Sequence, residues 1–197
     1  MNYLIGISGG SGSGKSTLAY GLQERFPDLI EVVHFDDYQK MKEQVPVRHG
    51  ISNWDHPEAI DFEGLLRDLK LLKSGKDVNV MTKSAKHNPE YKKIGRVPYI
   101  MKAKKIIIIE GYMSITDKRI RELCNFTVFL DLDTNERMKR RTKFINIGYR
   151  EKILLPMHKE HVEPTKGFAN MIIDVEKYND KEIQELVINQ LKILKVL

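Results

Sequence analysis

The residues best suited to chemistry lie near the start of the chain, in a glycine-rich stretch that reads GGSGSGKS. Its members are Gly9, Gly10, Ser11, Gly12, Ser13, Gly14, Lys15 and Ser16, and Thr17 follows them. The spacing fits G-x-x-x-x-G-K-[ST], in which backbone N–H groups turn towards phosphate oxygens and the next helix adds its positive end. Lys15 can then reach the β- and γ-phosphates of a nucleotide, and the Ser16 hydroxyl can ligate Mg²⁺. We predict a site for a nucleotide with Mg²⁺ over residues 9–17.

Two later apolar stretches end in carboxylates. VVHFDD ends in Asp36 and Asp37, and KKIIIIEGY carries Glu110. We call residues 9–17 the phosphate loop. Ligands of a parallel sheet lie beyond the carboxyl ends of its strands, so these acids are expected to face that loop. Phosphoryl transfer to an alcohol uses one carboxylate near the metal and another that takes the hydroxyl proton, whereas hydrolysis commonly uses a Gln to position water. The nearest glutamine, Gln39, lies two residues beyond the aspartates, so the pattern favours transfer, without separating Asp36 from Asp37.

A further acid, Asp55, lies beside His56 in the polar start of NWDHPEAIDFEGLLRDLKLLKSGK, just before apolar residues at helical spacing. A carboxylate at this place could accept paired hydrogen bonds from a sugar diol. It could equally cap the start of the helix. The residues alone leave both interpretations open.

These side chains need a scaffold that brings them together, and the sequence predicts one. Short apolar runs predict strands over residues 3–8, 30–35, 105–110, 126–130 and 171–174. Helical spacing of apolar residues predicts helices over residues 16–25, 58–74, 116–123, 134–142 and 180–194. The alternation indicates an α/β fold, in which helices cover both faces of a mostly parallel sheet.

Two segments break this alternation. Residues 75–104 are rich in Lys, Gly and Pro, with β-like pieces at 78–82 and 97–101, and they predict an inserted β-hairpin or flap. Residues 143–165 contain Gly148, Pro156 and Pro164 among many charges and predict a second mobile segment with a short helix. We expect a lid over residues 140–155, which overlaps this segment, closes over the phosphates and excludes water.

The bulk composition limits the classes of protein. The chain has 197 residues, 41% of them hydrophobic, which predicts one domain over residues 1–197. Lys and Arg outnumber Asp and Glu by 33 to 27, but the charges are mixed along the chain, so we expect no nucleic-acid partner. A single cysteine, Cys124, excludes an intrachain disulfide and indicates a cytoplasmic protein. MNYLIGISGG has no basic leader, and no aliphatic run could span a bilayer, so we expect neither a targeting segment nor a membrane partner.

Taken together, the motifs resemble those of the phosphoribulokinase and uridine kinase family, and of its uridine kinase branch in particular. The blocks that match, in order, are GISGGSGSGKSTLA, FDDY, WDHPEAIDFEGLLRDLKLLKSGKDVNV, IIIIEGYM, FTVFLDLDTNERMKRR and EPTKGFANMII. Many phosphate-loop proteins share the first block, whereas the Asp-His-Pro-x-Ala and Glu-Pro-Thr-Lys blocks are specific. The resemblance implies a P-loop NTPase-like fold and transfer of the γ-phosphate of ATP or GTP, with Mg²⁺, to the 5′-hydroxyl of uridine or cytidine. Because the family often forms dimers or tetramers, a homo-oligomer is also an expectation.

The resemblance also assigns roles by position. Asp36 falls on the catalytic aspartate of the family, the first acid of an Asp-x-aromatic block, and Asp37 falls on a variable position. We therefore expect Asp36 and Lys15 to be the catalytic residues. Glu110 falls on the acid that, with Ser16, helps to hold Mg²⁺ and its waters.

Three residues are implied on the acceptor side. Asp55 falls on the aspartate that binds the ribose hydroxyls, and Arg141 on a lid arginine near the ribose and the phosphates. His87 aligns roughly with a histidine that contacts the base. The family usually carries a Pro-Val-Tyr-Asp block before that histidine, whereas this chain reads VNVMTKSAKHNPEY, with Met81 near the place of the tyrosine.

The lid is the second departure from the family pattern. It normally reads Arg-Arg-x-x-Arg-Asp and then Arg-Gly-Arg, whereas this chain reads RRTKFINIGYR, with Phe144 and Ile145 in place of the Arg-Asp pair. Lys143 and Arg150 are the cations that could compensate. Two alternatives therefore stand beside a uridine kinase: a kinase for another ribose-bearing acceptor, such as nicotinamide riboside, and a nucleotide-binding regulator with weak transfer activity.

Overall fold

The computed structural model describes residues 1–141 and 146–197. Its strands are β1 (Tyr3–Gly9), β2 (Ile30–His34), β3 (Val47–Arg48), β4 (Ile51–Ser52), β5 (Val78–Thr82), β6 (Val97–Met101), β7 (Ile106–Glu110), β8 (Phe126–Asp131) and β9 (Met171–Asp174). Its α-helices are α1 (Lys15–Arg25), α2 (Phe62–Lys73), α3 (Tyr91–Ile94), α4 (Lys118–Leu123), α5 (Thr134–Arg141), α6 (Ile147–Tyr149), α7 (Leu155–Met157) and α8 (Asp180–Ile193). Within the described residues, no helix is long and apolar enough to cross a membrane.

A parallel five-stranded sheet organises these elements, with strand order β2-β7-β1-β8-β9. The strand before the phosphate loop, β1, lies at its centre, where Ile5 is opposite Ile108 of β7 and Phe126 of β8. The carboxyl ends of β1, β2 and β7 therefore meet at one edge of the sheet, as predicted. The α/β fold and the five predicted strands are confirmed, with bounds that differ by one residue at most.

Helices cover both faces because the strands are apolar on both sides. Ile106 and Ile108 of β7 pack on the side of α1 and α8, whereas Ile107 and Ile109 pack on the side of α2 and α4. All four side chains are fully buried. Complete burial of one isoleucine contributes about 1.5–3 kcal/mol. Because its side chains pack into the core on both faces of the sheet, this strand joins the two halves of the core.

The start of α2 corrects one prediction. The predicted helix began at residue 58, but Pro57–Ala59 form a separate 3₁₀ turn and α2 begins at Phe62. Asp61 is its cap, because its Oδ1 accepts a hydrogen bond of 3.0 Å from the Gly64 N–H. Asp55 therefore does not cap α2, and that interpretation of its carboxylate is wrong.

The β5 and β6 strands pair antiparallel as a separate two-stranded sheet, at the places where the sequence predicts two short strands. A buried carboxylate of the edge strand β2 anchors this hairpin: Glu31 accepts hydrogen bonds from the Lys102 N–H at 3.1 Å and the Tyr99 hydroxyl at 3.3 Å. The action of the hairpin as a flap stays a prediction.

The segment after α5 is more helical than its sequence predicts. Beyond α6, the chain forms wide π-type turns at Arg150–Leu154 and His158–Val162 on either side of α7, and then a 3₁₀ stretch at Glu163–Phe168. Pro156 fits because wide turns on both sides already interrupt the regular hydrogen-bond ladder that a proline would break. Short helices are present here, as predicted, within a longer helical stretch, and the mobility of the segment stays a prediction. The predicted lid, with Lys143, Phe144 and Ile145, lies partly outside the described residues.

Candidate active site

The glycine-rich loop joins the central strand directly to a helix. Gly12 and Gly14 adopt left-handed φ angles of 90° and 93°, which glycine tolerates best, and the loop curls so that α1 begins at Lys15. The Lys15 ammonium donates a hydrogen bond of 3.0 Å to the Gly10 carbonyl oxygen across the loop. Burial lowers the pKa of Lys15 to about 8, although the carboxylates of Glu110 and Asp36 oppose that shift. The loop thus holds a buried cation at the positive end of a helix, as a phosphate site requires.

Glu110, at the end of β7, lies between two side chains. One carboxylate oxygen accepts a hydrogen bond of 2.9 Å from the Ser16 hydroxyl, and the other lies 2.7 Å from His34 Nδ1. Burial favours the neutral form of each group, but their mutual attraction prevails: it raises the pKa of His34 to about 9 and lowers the pKa of Glu110. Glu110 is therefore an ionised carboxylate held beside Ser16.

These oxygens fit a hard cation. Mg²⁺ takes oxygen ligands and is commonly bound through one or two carboxylates together with phosphates and waters. Ser16 and Glu110 offer one hydroxyl and one ionised carboxylate at the phosphate loop. Among residues 1–141 and 146–197, no cluster of three or more His, Cys, Asp or Glu side chains could hold a metal ion alone. A metal ion bound by Ser16 and Glu110 would therefore share its coordination with nucleotide oxygens.

The two aspartates after β2 point in different directions. Both lie in a 3₁₀ turn, Phe35–Tyr38, which rotates successive side chains by about a third of a turn. Asp36 lines the cavity of about 250 Å³ beside the phosphate loop, which we call the phosphate cavity. Asp37 is buried under the β5–β6 hairpin, where its Oδ1 accepts a hydrogen bond of 2.7 Å from the Lys83 N–H. Burial raises the pKa of Asp37, against the opposing charge of His34.

A second cavity, of about 420 Å³, adjoins the first, and we call it the Asp55 cavity. The two cavities share four lining residues: Ser11, Asp36, Tyr112 and Arg141. Two predicted acceptor residues, Asp55 and Arg141, thus lie around the same space as Asp36. A ligand in one cavity would face a ligand in the other across the Asp36 side chain.

Asp55 is held by one strong hydrogen bond. The Tyr149 hydroxyl donates to its Oδ2 at 2.6 Å, a length typical of a bond to an ionised oxygen. Burial raises the pKa of Asp55 to about 6. The bond from Tyr149 and the charges of Arg141 and Lys15 oppose this rise, whereas the charge of Asp36 adds to it. At neutral pH the carboxylate is mostly ionised and can accept further hydrogen bonds.

Arg137 is a buried cation that the sequence predictions did not include. It is 1% exposed, and its guanidinium donates to the Leu132 carbonyl oxygen at 3.1 Å and to the Thr134 hydroxyl at 2.8 Å. Among the described residues its buried Nη1 has no hydrogen-bond partner, and it lies against the phosphate loop, where a Cβ on Gly10 would come within 2.3 Å of it. An orphaned donor on a buried cation is costly unless an anion meets it, so Arg137 also fits a phosphate ligand.

A third cavity, of about 590 Å³, lies on the other side of Arg137 and is called the Arg137 cavity. The ends of β8 and β9 and the start of α5 supply Asp131, Thr134 and Asp174 to its wall. His158 and Leu155 close it from the segment after α5. Arg137 therefore connects this space to the phosphate loop.

His87 is the predicted site residue that lies apart from the others. Its ring stacks on Tyr99 at 4.1 Å between centroids and meets the edge of Tyr20 at 6.5 Å. It lines neither the phosphate cavity nor the Asp55 cavity. Met81, near the place of the expected tyrosine, is 49% exposed on the hairpin. The structure thus brings Asp36, Asp55, Arg141 and the loop together, but it does not bring His87 to them.

The Asp55 cavity also contains residues to which the sequence assigned no role in the site. They are Gln39, Trp54, Tyr112, Asn146, Tyr149 and Leu154. A signal existed for Trp54 and Tyr112, which are close neighbours of Asp55 and Glu110 in the chain. No local signal existed for Tyr149, which is 94 residues from its partner.

The chain is similar to known proteins over most of its length. Residues 4–146 match the model of the Phosphoribulokinase / Uridine kinase family. A uridine kinase from Clostridium novyi is 34% identical over 202 residues, which cover 96% of this chain and 94% of that protein. A uridine kinase from Brevibacillus brevis is also 34% identical, over 89% of this chain and 86% of that protein.

Solved structures agree on the fold. A possible uridine kinase from Bacillus stearothermophilus superposes with a TM-score of 0.63 at 21% identity, covering 88% of this chain and 89% of that one. Shikimate kinase from Acinetobacter baumannii superposes with a TM-score of 0.55 at 15% identity, covering 99% and 94%. At these identities the superpositions establish the P-loop kinase fold alone.

Proposed function

Because the chain belongs to the phosphoribulokinase and uridine kinase family, and is therefore a phosphotransferase that acts on a hydroxyl group, we propose that it is a nucleoside kinase. The donor in this proposal is ATP or GTP with Mg²⁺. The acceptor is the 5′-hydroxyl of uridine or cytidine.

One observation carries the proposal: Asp36 lines both the phosphate cavity and the Asp55 cavity. A phosphoryl donor on the loop and a sugar held by Asp55 would meet at this side chain. Arg141, which lines both cavities as well, would place a positive charge where the transferred group passes. Asp37, buried under the hairpin, has no access to that place.

Asp36 acts in this scheme by positioning. Its carboxylate accepts a hydrogen bond from the 5′-hydroxyl, aligns that oxygen with the donor and takes its proton as the new bond forms. The transition state of phosphoryl transfer is loose, so alignment of the hydroxyl contributes more than the basicity of the carboxylate. Asp55 and its surroundings hold the sugar, so the hydroxyl meets Asp36 in one orientation.

The donor side combines the loop with the Arg137 cavity. Lys15 and Arg137 neutralise the phosphates, and Ser16 and Glu110 would hold Mg²⁺, which supplies positive charge to the phosphoryl oxygens when bound. The Arg137 cavity, reached past the loop, has the volume for a purine base.

The residues around the expected site of the acceptor base are compatible with a second candidate. His87 stacks on Tyr99 rather than lining the Asp55 cavity, and Trp54 and Tyr112 supply aromatic walls there instead. This arrangement favours a flat ring without specifying a pyrimidine. A related acceptor with the same ribose, such as nicotinamide riboside, is therefore the second candidate.

A panel assay tests both candidates. The protein is incubated with ATP and Mg²⁺, and with GTP and Mg²⁺, in the presence of uridine, cytidine or nicotinamide riboside, and release of the nucleoside diphosphate is measured together with the phosphorylated product. We expect turnover at ordinary kinase rates, about 1–100 per second, with uridine or cytidine. Faster turnover of nicotinamide riboside would select the second candidate, and release of the diphosphate without any phosphorylated acceptor would refute both.

A further inference from the structure

The contact between Tyr149 and Asp55 places a phenol hydroxyl on the carboxylate that is proposed to bind the sugar. Tyr149 Oη lies 2.6 Å from Asp55 Oδ2, and both residues line the Asp55 cavity together with Asp36. The bond is short because the acceptor oxygen carries charge. The hydroxyl therefore lies inside the space where an acceptor would bind.

A phenol and a sugar alcohol are the same kind of donor. Each offers one O–H, and a carboxylate that binds a diol uses both of its oxygens to accept two such groups. Tyr149 already donates to one of these oxygens. Each carboxylate oxygen has two lone pairs, so the competition is for the one that faces the cavity. The Tyr149 hydroxyl donates to Oδ2 from within the cavity, and a diol that approaches Asp55 there meets the phenol on that side.

The local structure delivers Tyr149 to this position without depending on the bond itself. Asn146 caps the turn of α6 through a hydrogen bond of 2.8 Å from the Gly148 N–H to its Oδ1, and this turn points Tyr149 into the cavity. The loop that carries Asp55 has other supports: Asn53 Nδ2 donates to Met157 Sδ at 3.3 Å, and the Tyr112 hydroxyl donates to the Trp54 carbonyl oxygen at 2.7 Å. The Tyr149 hydroxyl also accepts hydrogen bonds from the backbone N–H groups of Trp54 and Asp55, and we expect the other supports to keep the loop in place when that hydroxyl is removed.

We infer that Tyr149 determines how tightly the acceptor binds, because its hydroxyl holds the place of an acceptor hydroxyl on Asp55 and the sugar must displace it. The inference rests on the proposed function, since it takes Asp55 as the residue that binds the sugar. It goes beyond that function by assigning to Tyr149, in the same cavity, a role that opposes binding of the sugar. A phenol is a stronger donor to a carboxylate than a single sugar alcohol, so one hydroxyl does not displace it, whereas a vicinal diol, which supplies two hydrogen bonds to Asp55, does.

The test compares Tyr149→Phe with a matched Tyr178→Phe control, because Tyr178 is 40% exposed and contributes to none of the three cavities. Binding of uridine is measured by calorimetry in the presence of Mg²⁺ and a non-hydrolysable ATP analogue. We expect Tyr149→Phe to bind uridine about fivefold more tightly, as the loss of one competing hydrogen bond implies, and to lower KM without lowering kcat. Tyr178→Phe should match the wild type in all three quantities.

Tyr149→Leu, which lacks both the hydroxyl and the ring, should also bind uridine more tightly, and thermal unfolding establishes that each variant is folded. Asp55→Asn shows whether uridine binding depends on Asp55. If it does, and both Tyr149 variants bind uridine as tightly as the wild type or more weakly, the inference is overturned while the proposed function stands. If no nucleoside of the panel binds the wild type or either variant, the proposed function fails and the inference with it.

Discussion

Replacement of Asp36 by Asn, with Asp37→Asn as its matched control, separates two neighbouring carboxylates that the fold turns in different directions. Asp36 lines the phosphate cavity and the Asp55 cavity. Asp37 is 7% exposed and accepts a hydrogen bond from the Lys83 N–H. The two substitutions remove the same charge one residue apart, so differences between them report the position of each side chain.

The two substitutions are expected to affect different quantities: Asp36→Asn the rate of transfer, and Asp37→Asn the stability of the fold. Loss of a general base typically lowers a rate by 10²- to 10⁴-fold, so Asp36→Asn should lower kcat by about that factor, or about 3–5 kcal/mol in the barrier. Asp37→Asn keeps an amide oxygen that can still accept from Lys83, so it should cost about 1 kcal/mol of unfolding free energy. For a chain of this size, that corresponds to a fall in Tm of about 2–4 °C.

Three measurements on each variant distinguish a catalytic from a structural role: kcat with saturating ATP and uridine, the Kd for ATP by calorimetry, and Tm. We expect Asp36→Asn to lose turnover while it keeps its nucleotide affinity and its Tm. Asp37→Asn should keep kcat within about threefold of the wild type and lose thermal stability. The reasoning is refuted if Asp37→Asn loses more turnover than Asp36→Asn at temperatures where both are folded.

Three further substitutions or conditions probe the rest of the site. Glu110→Gln should raise the Mg²⁺ concentration needed for half-maximal activity about tenfold or more, because it removes the ionised oxygen beside the phosphate loop. A titration of kcat with Mg²⁺ measures this concentration. An unchanged midpoint would contradict the assignment of Glu110 to the metal. Arg137→Gln should weaken ATP binding about tenfold and leave uridine binding unchanged, since the buried guanidinium lies against the loop; calorimetry with each ligand checks both halves. Because burial raises the pKa of Asp55 to about 6, kcat/KM for the acceptor should fall as pH drops through 6 and Asp55 takes up a proton. The midpoint of that pH profile should move lower in Asp36→Asn, because the Asp36 charge raises the pKa of Asp55, and a midpoint that stays in place would speak against this coupling.

The sequence predicts those parts of the site that lie within a few residues of a recognisable pattern. The phosphate loop follows from its spacing, and Glu110 follows from the end of an apolar strand. Parallel pairing of β1, β2 and β7 then brings their ends together, which is a property of the fold class and not of any one residue. For this reason the relative positions of Lys15, Ser16 and Glu110 could be predicted without coordinates.

Other parts depend on contacts between distant residues. The resemblance selects Asp36, but the place of Asp37 depends on the hairpin, since the Lys83 N–H is the partner that holds its carboxylate. Tyr149 meets Asp55 across 94 residues of sequence. The start of α2 differs from the prediction because Pro57 also signals a helix start. The turn that Pro57 opens is capped by His56 and lasts only three residues, whereas α2 itself begins after its cap, Asp61. Composition and periodicity carry no record of such pairings, so only the folded chain reveals them.

The central place of β1 has a consequence for how the chain is made. β1 is synthesised before the other strands of the sheet, yet its neighbours come about a hundred residues later, since Tyr3 pairs with Ile106 and Ile5 with Phe126. On a ribosome, the phosphate loop therefore cannot take its final form until β7 and β8 have emerged. Such non-local pairing slows folding and leaves an apolar strand unprotected for longer. We expect this strand to be the segment that a chaperone meets on the nascent chain.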